Sequence, residues 1–114
     1  MPRLMSFSIT TPQMYSKTKD VTRRNGWLML KKGDRLWAVE KAMGLKKGER
    51  VTRIGLIEVV SVSREPLSAI NQDECTREGF SHFTPDQFCD MFIQSHKGVD
   101  RDSVITRIEF KHLY

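Results

Sequence analysis

The sequence predicts an α+β fold: a small mixed β-barrel with two to three helices packed on its outside. Three observations lead there. Segments patterned as strands outnumber those patterned as helices. Their order is strand, short helix, several strands, two helices, strand, without the regular alternation that builds a parallel sheet. The length, 114 residues, suits one compact core and is too short for two, so residues 1–114 are expected to form one domain.

Each element has a local reason. "LMSFSIT" (residues 4–10) alternates apolar and polar side chains and reads as a strand. Thr11 can cap a short helix whose first position suits Pro12. A basic stretch and a turn at "NGW" follow. Gly33-Asp34 is a turn signal before a strand over residues 35–42. "RVTRIGLIEVVSVSRE" is rich in Val and Ile and long enough for one bent strand, with Gly55 as its bulge or corner. Asn71 with Glu74 three residues on forms a capping-box pattern, and Gly79 is placed to end that helix. The next helix starts more clearly. Thr84 caps, Pro85 takes the first position, Gln87 completes the box, and Phe83 and Phe88 are spaced for a hydrophobic staple. Phe88, Met91 and Phe92 form an apolar stripe assigned to the core. "HKGVDRDS" is a loop, and a last strand places Val104, Thr106, Ile108 and Phe110 on one face.

Hydrophobic residues make up 39% and charged residues 29%, an ordinary soluble balance. No apolar run reaches membrane-spanning length, and the first residues lack the apolar core of a signal peptide. These features predict a cytoplasmic protein without a membrane partner. Cys75 and Cys89 are then expected as buried free thiols. Cys75, His82, Cys89 and His96 recur every seven residues, too widely for ligand pairs presented by one turn, so no metal or other cofactor is expected and the histidines are assigned to solvent.

Charge is uneven. Residues 16–53 carry twelve Lys/Arg against four Asp/Glu, whereas residues 54–114 carry six against ten. A basic face of this kind attracts an anion, most commonly nucleic acid, and Lys31, Lys32, Lys46 and Lys47 are its candidate members. The densest part is "KTKDVTRR" (residues 17–24). An extended chain there would put Lys19 beside Val21 and Asp20 beside Thr22. A tight turn at Lys19-Asp20 would instead bring Lys19 to Thr22, where an ammonium and a hydroxyl can bind phosphate or a neutral amine can activate the hydroxyl. Of Arg23 and Arg24, one can reach a pocket while the other faces solvent; Lys17 and Arg23 are assigned to the solvated or phosphate-facing side. Trp37 lies in the apolar strand "RLWAV" and is assigned to the core; Trp27, beside the basic run, is the candidate for stacking on a base. Glu78 sits at a predicted helix C-terminus, where the dipole disfavours a carboxylate, and this misfit points to an acid/base role.

Taken together, "KTKDVTRR", "LKKGDRLWAVEK", "RIGLIEVVSVSREPL", "ECTREGF", "TPDQFCDMF" and "VITRIEF" resemble an ASCH domain, a member of the PUA-like superfamily of small β-barrels. The resemblance covers about residues 5–112 and is strongest to short stand-alone members from bacteria and phages. In the family's Gly-x-Lys-x-x-Glu-x-Arg pattern, Lys19 and Arg24 match the Lys and Arg, Lys17 stands at the Gly, and Thr22 at the Glu. Members that hydrolyse N4-acetylcytidine carry that Thr. The resemblance therefore implies Thr22 as nucleophile, Lys19 as its activator and Glu78 as acid/base, with Arg24 holding the substrate or ordering the pocket.

Three readings follow, in this order. The first is a domain that binds RNA or a modified nucleobase in a polar pocket of Lys19, Thr22, Arg24 and Glu78, helped by Arg23, Trp27 and the surface lysines. The second is an amidohydrolase that deacylates N4-acetylcytidine-type nucleosides. The third is a non-catalytic phage- or host-interaction protein.

Overall fold

A computed structural model of the chain describes residues 3–41, 47, 48 and 50–113. Five strands form a curled half-barrel sheet: β1 (Arg3–Ser6), β2 (Val21–Arg24), β3 (Arg35–Val39), β4 (Arg53–Pro66) and β5 (Val104–His112). Their spatial order is β1-β3-β4-β5-β2, with β1 parallel to β3 and the other pairs antiparallel. The strand pattern beyond residue 6 gives way to a turn. The Phe7 N–H makes the last ladder bond, to the Val39 carbonyl, and the Thr10 N–H then bonds the Phe7 carbonyl. Helix α1 (Thr11–Tyr15) starts there. Thr10, not Thr11, is its cap residue; the Thr11 hydroxyl instead donates to the Phe7 carbonyl. β3 ends at Val39, earlier than its predicted limit of 42, which lies outside the described residues.

β4 is the long bent strand that its Val and Ile content predicts, and it carries two irregularities. One lies between the pairs Ala38–Gly55 and Val39–Arg53, beside the glycine expected to mark a bulge. The second inserts Val60 between the pairs Val59–Phe110 and Ser61–Glu109. An extra residue reverses which side chains face inward. Ile57 and Val59 are buried before it, and Val62 packs on the same core after it. Thr22, Ile108 and Val62 are register partners and share the inner face.

The helical half follows its capping signals. Helix α2 (Gln72–Arg77) has Asn71 as cap, accepting from the Glu74 N–H at 2.8 Å. The Glu74 side chain does not return to the cap, because two arginines hold it. Gly79, at φ +92°, closes α2 as a Schellman motif: the Phe80 N–H bonds the Cys75 carbonyl and the Gly79 N–H the Thr76 carbonyl. Helix α3 (Pro85–Ser95) has the full capping box of Thr84 and Gln87. The staple is indirect, with the Phe80 ring 5.1 Å from Phe83 and 5.5 Å from Phe88.

Two cores result. Met5, Phe7, Leu36, Ile57, Ile108 and Phe110 fill the concave side of the sheet, closed by Met14 of α1. Leu67, Cys75, Phe88, Phe92 and Ile105 fill the space between the helices and the other side of β5. Both cysteines are buried free thiols, whose pKa burial raises. Thr106, Ile108 and Phe110 are buried, whereas Val104 at the start of the strand is 61% exposed. Among the described residues no helix is long and apolar enough to cross a membrane.

Lys17 follows α1 in the left-handed conformation, φ 62°, with its side chain exposed. This is the position at which glycine avoids a steric cost. Lys17→Gly is expected to stabilise the protein by about 0.5–1 kcal/mol, the relief being partly offset by a freer unfolded chain. A urea denaturation midpoint that does not rise would refute this.

Candidate functional site

The half-barrel leaves a seam between its edge strands β1 and β2, and a cavity of about 180 Å³ opens there. Ser6, Phe7 and the turn to Thr10 form one wall; Lys19, Thr22, Arg23 and Arg24 a second; Glu78 and Phe80 a third; and α3 closes it with Phe88, Met91, Phe92, Ser95 and His96. The structure thus brings Lys19, Thr22, Arg24 and Glu78 to one concavity.

Lys19 precedes β2 and is 2% exposed. The turn lies at Ser16-Lys17 rather than at Lys19-Asp20, and Lys19 and Thr22 nevertheless line the same cavity. The Lys19 Nζ donates to Glu78 Oε1 at 2.6 Å and to the Glu78 carbonyl at 2.6 Å. It lies 5.9 Å from the Phe7 ring centre and 5.8 Å from that of Phe80. Burial pushes the Lys19 pKa down; Glu78 opposes that, while Arg24 and Arg23 add to it.

The backbone on both sides of this pair is fixed. The Asp20 N–H bonds the Arg77 carbonyl, and the Arg77 guanidinium grips both Asp20 carboxylate oxygens at 3.1 and 3.0 Å. His112 Nε2 lies 2.8 Å from the Lys19 carbonyl. Gln13 Nε2 donates to the Gly79 carbonyl at 2.9 Å. Glu78 is therefore a helix-capping residue, 2% exposed, whose carboxylate meets a lysine where the dipole gives no help.

β2 alternates its side chains, and this separates its two arginines. Arg24 and Thr22 share one face. Arg24 Nε donates to Thr22 Oγ1 at 3.1 Å, and its Nη2 donates to the Ser6 carbonyl at 2.6 Å, a side-chain bridge across the seam. The Arg24 guanidinium lies 4.8 Å from the Phe7 ring centre, and burial pushes its pKa down to about 10.

Arg23 overturns its assignment to solvent or phosphate. Its side chain is 0% exposed and donates to Glu65 at 3.0 Å and Glu74 at 2.8 Å, with Glu78 Oε2 at 3.7 Å. It packs toward α2 because a strand facing helices on its outer side has no solvated face there. Glu74 also binds Arg107, and these partners, Arg107 foremost, hold its carboxyl at about 2. No sequence signal marks this network, since its members come from β2, β4, α2 and β5.

The tryptophans are not disposed as expected. Trp37 is half-buried rather than core, with the Arg53 guanidinium 4.5 Å from its ring centre. Trp27 packs on the sheet core, with Arg3 at 5.9 Å over its ring, and is not part of the cavity wall. Lys31, Lys32 and Lys47 are exposed and lie outside the cavity lining; Lys46 is outside the described residues. Lys31 and Lys32 instead line a shallow groove with Arg64 along β4.

His96 is not solvated as expected. Its ring stacks on Phe92 at 4.0 Å, its Nδ1 lies 2.9 Å from the Phe92 carbonyl, and it lines the cavity. The stripe of Phe88 and Phe92 serves as core and cavity wall at once. Among the described residues no group of His, Cys, Asp and Glu converges as a metal set.

No protein-family model matches the chain. No curated protein matches it either. Its fold does match solved structures. An ASCH domain from Lactobacillus crispatus superposes with a TM-score of 0.70 at 17% identity, over 98% of this chain and 79% of that one. A protein of Enterococcus faecalis assigned to DUF984 superposes with a TM-score of 0.68 at 13% identity, over 99% and 80%. The chain has the small α+β fold of these structures, one of them an ASCH domain.

Two outcomes test this architecture. Gly79→Ala is expected to destabilise by about 1–2 kcal/mol from backbone strain alone. The added Cβ would also meet Gln13 Cγ at 2.9 Å, so the loss should exceed that of Gly98→Ala, whose Cβ would meet nothing within 4 Å. Equal losses in chemical denaturation would refute the close approach. Because the Glu74 pKa is depressed, its contribution is present above the ordinary value of 4.5 and is lost as pH falls from there toward about 2. Denaturation midpoints should fall over that range in the wild type and fall less in Glu74→Gln; parallel profiles would remove Glu74 from the acid limb.

Proposed function

We propose that the cavity binds a single nucleobase, presented by RNA or by a modified nucleoside. The observation that carries this is a ring-sized cavity whose lining combines the rings of Phe7, Phe80, Phe88 and Phe92 with the polar groups of Lys19, Thr22, Arg24 and Glu78. A cavity of about 150 Å³ accommodates a six-membered ring, so about 180 Å³ suits a pyrimidine with a small substituent. Phe7, Phe80 and Phe92 offer ring contacts, and the polar groups offer donors to a base carbonyl. The ASCH fold and the exposed Lys31, Lys32 and Lys47 support RNA as the source of the base.

A second reading, hydrolysis of an N-acyl group on such a base, is favoured by one observation: the lowered pKa of the buried Lys19. In that reaction the neutral Lys19 amine takes the Thr22 hydroxyl proton as Oγ1 attacks the acyl carbonyl. The carbonyl oxygen becomes an oxyanion within reach of donors on the Arg24 side. Collapse breaks the carbon–nitrogen bond, the proton that Lys19 took from Thr22 is relayed through Glu78 Oε1 to the leaving amine, and water later hydrolyses the Thr22 ester. Such activity would rise with pH as Lys19 loses its proton.

Calorimetric titration of nucleosides, with a turnover assay on N4-acetylcytidine, tests both. Micromolar or tighter binding of a base-bearing ligand is expected, and charge reversal at Lys31 and Lys32 should weaken RNA binding without changing nucleoside binding. If the cavity is catalytic, Thr22→Ala lowers turnover about 10²- to 10⁴-fold. Absence of binding to any base-bearing compound would overturn the proposal and leave an interaction protein; binding without turnover would remove the hydrolytic reading.

A further inference from the structure

The cations around the cavity are not all compensated. Lys19 has Glu78, Arg23 has Glu65 and Glu74, Arg107 has Glu74, and Arg77 has Asp20. Arg24 has no carboxylate within ion-pair distance among the described residues. Two of its three nitrogens donate to neutral oxygens, those of Thr22 and Ser6, and its guanidinium faces the Phe7 ring. Among the described residues its Nη1 has no hydrogen-bond partner, yet it is not among the sealed, unpartnered atoms that include Nη1 of Arg23. It is therefore not sealed, and Arg24 lines the cavity. Glu78 acts on Arg24 across the site, but Lys19 holds one of its oxygens.

A guanidinium between a ring face and neutral oxygens is less stable than one in water, and burial lowers its pKa accordingly. A neutral nucleoside would leave that charge as it is. An oxyanion would meet a free N–H with a charge-assisted bond, about twice as strong as a neutral one. The Ser6–Thr10 wall beside Arg24 includes the exposed Ser8 and Ile9, so a group attached to a bound base can leave the cavity past it.

We infer that the occupant carries an oxyanion received by Arg24, so that the ligand is a phosphate-bearing nucleotide unit, free or within RNA, rather than a neutral nucleoside. This rests on the base-binding reading above.

The test compares wild-type affinities for a nucleoside, its 5′- and 3′-monophosphates, a dinucleoside monophosphate and ribose 5-phosphate. At least one phosphate-bearing nucleotide is expected to bind about tenfold or more tighter than the nucleoside. In Arg24→Gln that ratio should collapse to near one, while Arg24→Lys should keep part of it. A wild-type ratio near one overturns the inference even if neither variant folds, and leaves base binding intact. So does a ratio that survives Arg24→Gln. Ribose 5-phosphate binding as tightly as the nucleotides would sustain the oxyanion and remove the base. Failure of every phosphate-bearing compound to bind overturns the inference. A dinucleoside monophosphate preferred over both mononucleotides supports it with RNA as the source; the reverse order supports it with a free nucleotide.

Discussion

The contact on which this site depends is the buried ion pair between Lys19 and Glu78, at 2.6 Å with both side chains 3% exposed. Taking two charges from water costs several kcal/mol per ion, and their attraction repays that only when geometry and further hydrogen bonds are good. Here the lysine has the Glu78 carbonyl as a second acceptor and aromatic rings on two sides. Removing one partner of such a pair costs about 3–5 kcal/mol, because the other is left buried and uncompensated. The pair also ties the chain entering β2 to the end of α2, and so fixes where the helical layer meets the sheet.

Two charged layers with different tasks flank that pair. On the outer side of β2, Arg23, Glu65, Glu74 and Arg107 compensate one another and bind α2 to the sheet. On the inner side, Arg24 bridges to β1 and keeps a free N–H. Strand alternation alone assigns adjacent arginines to these layers. The seam between β1 and β2 is the place where a half-barrel has unpaired edges, and the Arg24–Ser6 bond spans it without closing it. A cavity there has backbone and side-chain polar groups on one side and the aromatic face of α3 on the other. This is the usual composition of small-molecule sites.

Much of the fold was legible because it rests on local rules. The caps at Asn71 and Thr84, the glycine at 79 and the bulge beside Gly55 each follow from residue types at fixed offsets. Errors arose where tertiary contacts compete with local ones. Glu74 has the right spacing to return to its cap, but two arginines outbid that bond. Trp37 has an apolar sequence context, yet its strand places it at the surface beneath Arg53. His96 lacked any motif, and only the packing of α3 brings it to the cavity.

The sequence by itself determined the element order, the helix termini and the residue types able to do polar chemistry, because capping, turns and periodicity act within a few residues. It also named Lys19, Thr22 and Glu78 as candidates from local chemistry, and joined them with Arg24 through a resemblance. Only the tertiary structure decided that these four meet, that Arg23 is structural, and that Arg24 lacks a paired carboxylate among the described residues. Burial and ion pairing are properties of segments brought together from β1, β2, α2 and α3, and no local pattern encodes the dielectric or the partner that each charge will find.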